Sequence, residues 1–169
     1  AEMVNELEND PGFWANYEIW LFMYNTGNPI AYSGMLLREA LTKAVADLDP
    51  EGKDPGLKQM VVIGHSQGGL LTKMTAIDSG THLWPFNVPP EQLTVSAETR
   101  ELVTHALIFK PLPFVKRVVF IATPQRGSYF AGSRLSHWAA RFITAPLDIA
   151  HSVNDLVLRN KEALAFTSM

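Results

Sequence analysis

The chain has 169 residues, 47% of them hydrophobic and 18% charged, which fits one domain with one core and excludes a disordered polymer. The formal net charge is −3 with no Lys/Arg run or basic stripe, so nucleic acid is not an expected partner. The absence of cysteine excludes disulfides, thiolate metal sites and a cysteine nucleophile; it leaves the compartment open.

The opening "AEMVNELEND" is acidic and reads as the interior of a longer protein rather than a signal peptide. No apolar run reaches the roughly 18 residues of a membrane span. "YEIWLFMY" (17–24) is aromatic and branched, ends in the turn-rich "NTGNP", and predicts a buried strand. Asn28 then offers an N-cap before Pro29. Leu37, Leu41, Ala44, Val45 and Leu48 recur at helical spacing, which predicts an amphipathic helix near 30–48, closed by the polar "DPEGKDPG". "LKQMVVIG" is nearly continuous in apolar residues, as expected of a parallel strand covered on both faces.

A helix is predicted from about Gln67 to Ser79, with Leu70, Met74 and Ile77 on one face and Gly80 as C-cap. The proline-rich "THLWPFNVPPEQL" cannot be regular. Ser96 caps a predicted helix carrying Leu102, Val103, Ala106 and Leu107, which "KPLPF" breaks. "VKRVVFIAT" predicts a further strand. Leu135, Trp138, Ala139 and Phe142 suggest a helix broken at Ala145-Pro146, and a last helical stretch ends near Asn160. Strands alternating with helices predict an α/β fold, a parallel sheet flanked by helices.

Between the second strand and its helix lies Gly64-His65-Ser66-Gln67-Gly68, a G-x-S-x-G pattern in the strand-to-helix context the motif needs. The turn is sharp, so the neighbours of the serine must be small: Gly64 and Gly68 let helix and strand approach, and Gly69 relaxes the next contact. Ser66 is thereby lifted out at the carboxyl ends of the strands, where α/β ligands bind. The Gln67 N–H opens the helix without an intrahelical partner and can donate to an oxyanion, aided by the helix dipole. The competing reading is a glycine-rich turn with an N-capping serine. A phosphate-binding loop is less favoured still, because Gly69 is followed by Leu70-Leu71 where the Walker pattern has a Lys-Ser/Thr pair.

"GHSQGGLL", preceded by "YNTGNPI" and "LLREAL" and followed by "VVFIATPQRGS", resembles the bacterial lipase-like serine esterases of the α/β-hydrolase superfamily over roughly residues 11–135. The resemblance implies Ser66 as nucleophile and the Gln67 amide as half of the oxyanion hole. It also implies that the chain is the central part of a longer domain, a partial α/β-hydrolase domain over 1–169 with a lid-like insertion at about 81–115. The family more usually carries methionine at position 67 and histidine at 125. Gln67 keeps the backbone donor; Gln125 leaves the role of that histidine open. The family's HG loop, which gives the second oxyanion donor, precedes the first strand and has no counterpart here. The family's sheet order also places a further strand between "YEIWLFMY" and "MVVIG".

A nucleophilic serine needs a base and an orienting carboxylate, and in this superfamily they follow in the order nucleophile, acid, histidine. Only one predicted strand follows the motif, and its end, Thr123-Pro124-Gln125-Arg126-Gly127-Ser128, holds no carboxylate. His65 sits inside the motif, His82 and His105 in the insertion, and His137 and His151 on predicted helices, as do Asp148 and Asp155. The triad acid and base are therefore expected outside the chain, with His151 the first makeshift candidate inside it. Arg126 lies just past a strand end, where it can bind an acidic substrate group or tie a loop. Ser128 suits a helix cap. Trp84, Phe86 and Val88 with Pro85, Pro89 and Pro90 form an apolar patch that either lines an acyl pocket or packs a lid on the core.

The expected function is hydrolysis of carboxylic esters, small or lipid, through an acyl-enzyme at Ser66, with no cofactor and no metal. The alternatives are a non-catalytic hydrolase-fold module that binds a partner or apolar ligand, and an acyltransferase.

Overall fold

The computed structural model describes residues 2–125. They form α1 (Glu2–Glu8), α2 (Pro11–Trp14), α3 (Ile30–Leu48), β1 (Met60–His65), α4 (Gln67–Ala76), a 3-10 turn (Pro90–Gln92), α5 (Ala97–Leu107) and β2 (Val115–Ile121). β1 and β2 pair in parallel as a two-stranded sheet, with Gly64 opposite Phe120 and His65 opposite Ile121. The protein is thus mixed α/β. Among the described residues, no helix is long and apolar enough to cross a membrane.

Local chemistry explains most of the boundaries. Asp10 accepts from the Gly12 N–H at 2.8 Å and Pro11 fills the first turn, so α2 starts there. The cap expected at Asn28 is not made. Pro29 itself occupies the N-cap of α3, without a side-chain bond, and the Asn28 Oδ1 is buried with no partner. α3 stops at Asp49, whose carboxylate takes the Lys53 and Asp54 N–H groups at 2.7 and 2.8 Å and folds the following loop. Ser96 caps α5 by accepting from the Thr99 N–H at 3.1 Å.

α4 packs on both strands, and α3 packs on α4 and α5. The core gathers Ala31 and Met35 of α3, Phe86 and Leu93 of the irregular segment, and Val103, Ala106 and Leu107 of α5. The apolar stripe expected along α3 is buried only in its first half: of its five members Leu37 is closed off, while Leu48 is exposed. The partners are shorter, 10 and 11 residues against 19 in α3, and do not cover its last turns. The expected outward-to-core face of α4 is also displaced. Gly69, Leu71, Thr72 and Thr75 are its buried residues, with Leu70 and Met74 half-buried, because this helix lies between the sheet and α3 and buries two sides. It ends at Ala76, before Ser79; Gly80 instead turns the chain at φ 49° three residues past the cap at Ile77.

One buried cation lies in this half. The Arg38 guanidinium stacks 3.8 Å from the Phe109 ring centre and donates through Nη2 to the His105 carbonyl at 2.6 Å. Burial pushes its pKa down to about 10, with Glu39 opposing.

Residues 17–24, expected as a strand, are not one. They form no regular element, with Phe22 and Tyr24 half-buried and Leu21 and Met23 exposed, and residues 18–24 make no backbone hydrogen bond among the described residues. Burial alternates only over Leu21–Tyr24, and the neighbouring strand that a sheet needs is not there among the described residues. The sheet itself is covered by α4 only in part. Gly64 is buried against α4, but its register partner Phe120 on the same face is 40% exposed, and Val61 and Ile63 on the other face remain 41% and 43% exposed, against the expectation of two covered faces.

Candidate active site

The serine pattern falls where β1 passes into α4. β1 ends at His65, Ser66 is the N-cap of α4, and its backbone is at φ 51°, ψ −124°. A non-glycine residue in that region is strained by roughly 1–3 kcal/mol and persists only where its surroundings over-determine it. The Ser66 side chain makes no capping bond to the helix, so the N-cap reading of this serine lacks its defining hydrogen bond. Ser66 is exposed at the carboxyl end of β1, and its N–H is held by the Ile121 carbonyl at 2.9 Å.

The close approach is built by Gly64 and Gly69. A Cβ on Gly64 would stand 2.5 Å from the Gly68 carbonyl oxygen and from the Gly69 Cα. One on Gly69 would stand 2.7 Å from both Cβ and Cγ2 of Thr123. Gly68, expected to share this role, is open: a Cβ there would touch only the Tyr24 hydroxyl, at 3.8 Å. The motif's spacing marks Gly64 and Gly68, but the side chain that needs the space belongs to Thr123 past β2, so the demand falls on Gly69.

The N–H groups of Gln67 and Gly68 have no acceptor among the described residues, and both lie in the first turn of α4, at the positive end of its dipole. The Gln67 side chain turns away toward the Thr26 carbonyl, at a long 3.5 Å. The 24–28 turn therefore borders this helix start. Burial raises the Tyr24 phenol pKa.

The other candidates lie elsewhere. Trp84 donates from Nε1 to the Val88 carbonyl at 2.8 Å, meets Phe86 edge-on at 5.2 Å, and packs on the core with Val88. Its segment, 81–114, contributes Phe86, Leu93 and α5 to that core. His65 is exposed at the end of β1, His82 is exposed in a turn, and His105 is exposed in the last turn of α5. Among the described residues, Ser66 Oγ makes no hydrogen bond to a histidine or a carboxylate. Gln125 closes the turn after β2, donating from its N–H to the Thr123 carbonyl at 2.9 Å. Arg126, Ser128, His137, Asp148, His151 and Asp155, and the helices expected after residue 130, lie outside the described residues.

Four neighbours of the serine were not singled out from sequence: Tyr24, Thr26, Ala122 and Thr123. Ala122 carries the other positive φ at a non-glycine residue among those described, 47°, at the end of β2 beside Ser66. The turn signal in "NTGNP" points to a loop at a strand's end, which is a usable clue for Tyr24 and Thr26. Nothing in "IAT" marks Ala122 as left-handed. Comparison of the chain with protein-family models, with characterised proteins and with solved structures gives no match.

Proposed function

We propose that the chain carries the nucleophile of a serine hydrolase of the α/β-hydrolase type, acting on carboxylic esters. The carrying observation is the backbone of Ser66 at φ 51°, ψ −124° between a parallel strand and a helix whose first N–H groups are free. This geometry exposes the hydroxyl and points unpaired donors at the space beside it, the requirement for stabilising a developing oxyanion.

In the reaction, Ser66 Oγ attacks the ester carbonyl carbon and its proton passes to a general base. The carbonyl oxygen gains negative charge and accepts from the Gln67 N–H. Collapse breaks the bond to the leaving alkoxide, which takes the proton back, and an acyl-Ser66 ester remains. Water activated by the same base then releases the carboxylate and regenerates the serine. The base and its orienting carboxylate come, in this reading, from outside residues 2–125. Small or lipid esters are the substrate class.

The absence of a base hydrogen-bonded to Ser66 Oγ among the described residues favours a second reading, a non-catalytic module of the same fold. Hydrolysis of a short-chain aryl ester by the full-length protein separates the two. Ser66→Ala should lower kcat/KM by about 10⁴-fold or more with an unchanged melting transition. Near-normal turnover in the variant would assign the chemistry to another residue, and no turnover in the wild type would favour the binding module.

A further inference from the structure

We propose that Ala122 and Thr123, in the left-handed turn that ends β2, are positioning residues for Ser66, clamping the first turn of α4 through Gly69. Three contacts carry this. The Ser66 N–H is bonded to the Ile121 carbonyl at 2.9 Å, so the serine's own backbone is tied to the residue that precedes the turn. Ala122 stands at φ 47°, a conformation that disfavours every L-residue and that glycine takes freely. The bend sets the Thr123 side chain on the Cα of Gly69, filling the volume a Cβ would need, and the Gln125 N–H bond to the Thr123 carbonyl at 2.9 Å closes the turn.

Gly69 is therefore gripped from two sides. Beneath it is Gly64 of β1, where an added Cβ would stand 2.5 Å from the Gly69 Cα; above it is Thr123, following β2. The Gly69 N–H in turn bonds the Ser66 carbonyl at 3.1 Å. A helix start held at both strands cannot slide to relax the serine's dihedrals. That is the over-determination a strained residue requires. Ala122 and Thr123 touch neither substrate nor reacting atoms in this scheme; they act through Gly69 and Ile121.

The test uses Ala122→Gly, Thr123→Ala and Thr123→Val in the full-length protein, with two readouts. Amide hydrogen exchange at Ser66 and Gly69 should rise on the order of tenfold in Ala122→Gly and Thr123→Ala, while amides of α3 and α5 keep their protection. Thr123→Val keeps the branched shape but puts a methyl where the hydroxyl, the Thr123 atom nearest the place of a Gly69 Cβ, now sits; it keeps the fill on Gly69, so exchange at Ser66 and Gly69 should stay closer to wild type than in Thr123→Ala. The second readout is the rate at which a fluorophosphonate modifies Ser66. It should fall by about ten- to a hundredfold in Ala122→Gly although that variant melts at the same temperature or higher, because a small misplacement is costly to a reacting pair. A purely structural role would move rate and melting temperature together. Unchanged exchange at Ser66 and Gly69 overturns the clamp, whatever the chemistry. Altered exchange with no labelling even of the wild type upholds the clamp and removes the hydrolase reading on which only the kinetic arm rests.

Discussion

Between α3 and α5 the side chains close over one another; on the sheet they close only in part. Leu93 is 1% exposed and Phe86 6%, with no positive φ at a non-glycine residue in either helix. On the free face of the sheet Val61 and Ile63 stay more than two-fifths exposed, at 41% and 43%. Yet both strained non-glycine residues, Ser66 and Ala122, belong to the sheet side, at the carboxyl ends of its two strands. Stability and strain are thus separated. The helical side supplies burial without distortion. The strands are loosely covered except where α4 packs on them through Gly64, Gly69, Leu71 and Thr72 and where Thr123 meets Gly69, and the strain found in the described residues lies beside that packing.

Substitutions on each side test this division. Leu93→Ala removes a fully buried side chain from the helical core and should cost about 3–4 kcal/mol in chemical denaturation. A loss under about 1 kcal/mol would mean that this core is not the main source of stability. Gly69→Ala pushes a methyl into Thr123 and should cost about 2 kcal/mol even though alanine favours the helix. A stabilised Gly69→Ala would show that the grip is loose and would remove the reason given for the strain at Ser66. Ser96→Ala deletes the N-cap of α5, which should cost about 1 kcal/mol without touching the serine's reactivity. Val61→Thr is nearly isosteric and should stay within about 0.5 kcal/mol if its face is open. A cost of about 1–3 kcal/mol would instead reveal a covered face, since a buried hydroxyl without a partner is penalised by that amount.

Much of this was legible in the sequence where the determinants are local. The apolar run before Gly64, the glycine-flanked serine and the Ser96 cap each carry their cause within a few residues, and β1, α4 and α5 follow. The same holds for β2, bounded by "KPLPF". Residues 17–24 are not a strand, although aromatic and branched content favours one, because a strand needs a partner that no residue of the segment encodes. α1 and α2 are short and were not foreseen. The role of Gly69 and the left-handed Ala122 were out of reach for the same reason: each depends on a contact between β1–α4 and the end of β2, distant in the chain. Near Ser66, then, the sequence marks the proposed nucleophile and amide donor, and tertiary packing decides what holds them.

The central claim is that Ser66 is an activated nucleophile. Incubating the full-length protein with a fluorophosphonate, then digesting it and locating the added mass, tests this without any assumption about substrate. The account predicts a single adduct on the peptide containing Ser66, prevented by prior denaturation and missing from Ser66→Ala. An unmodified Ser66, under conditions that label a known serine hydrolase to completion, would contradict it, as would an adduct carried by a different serine.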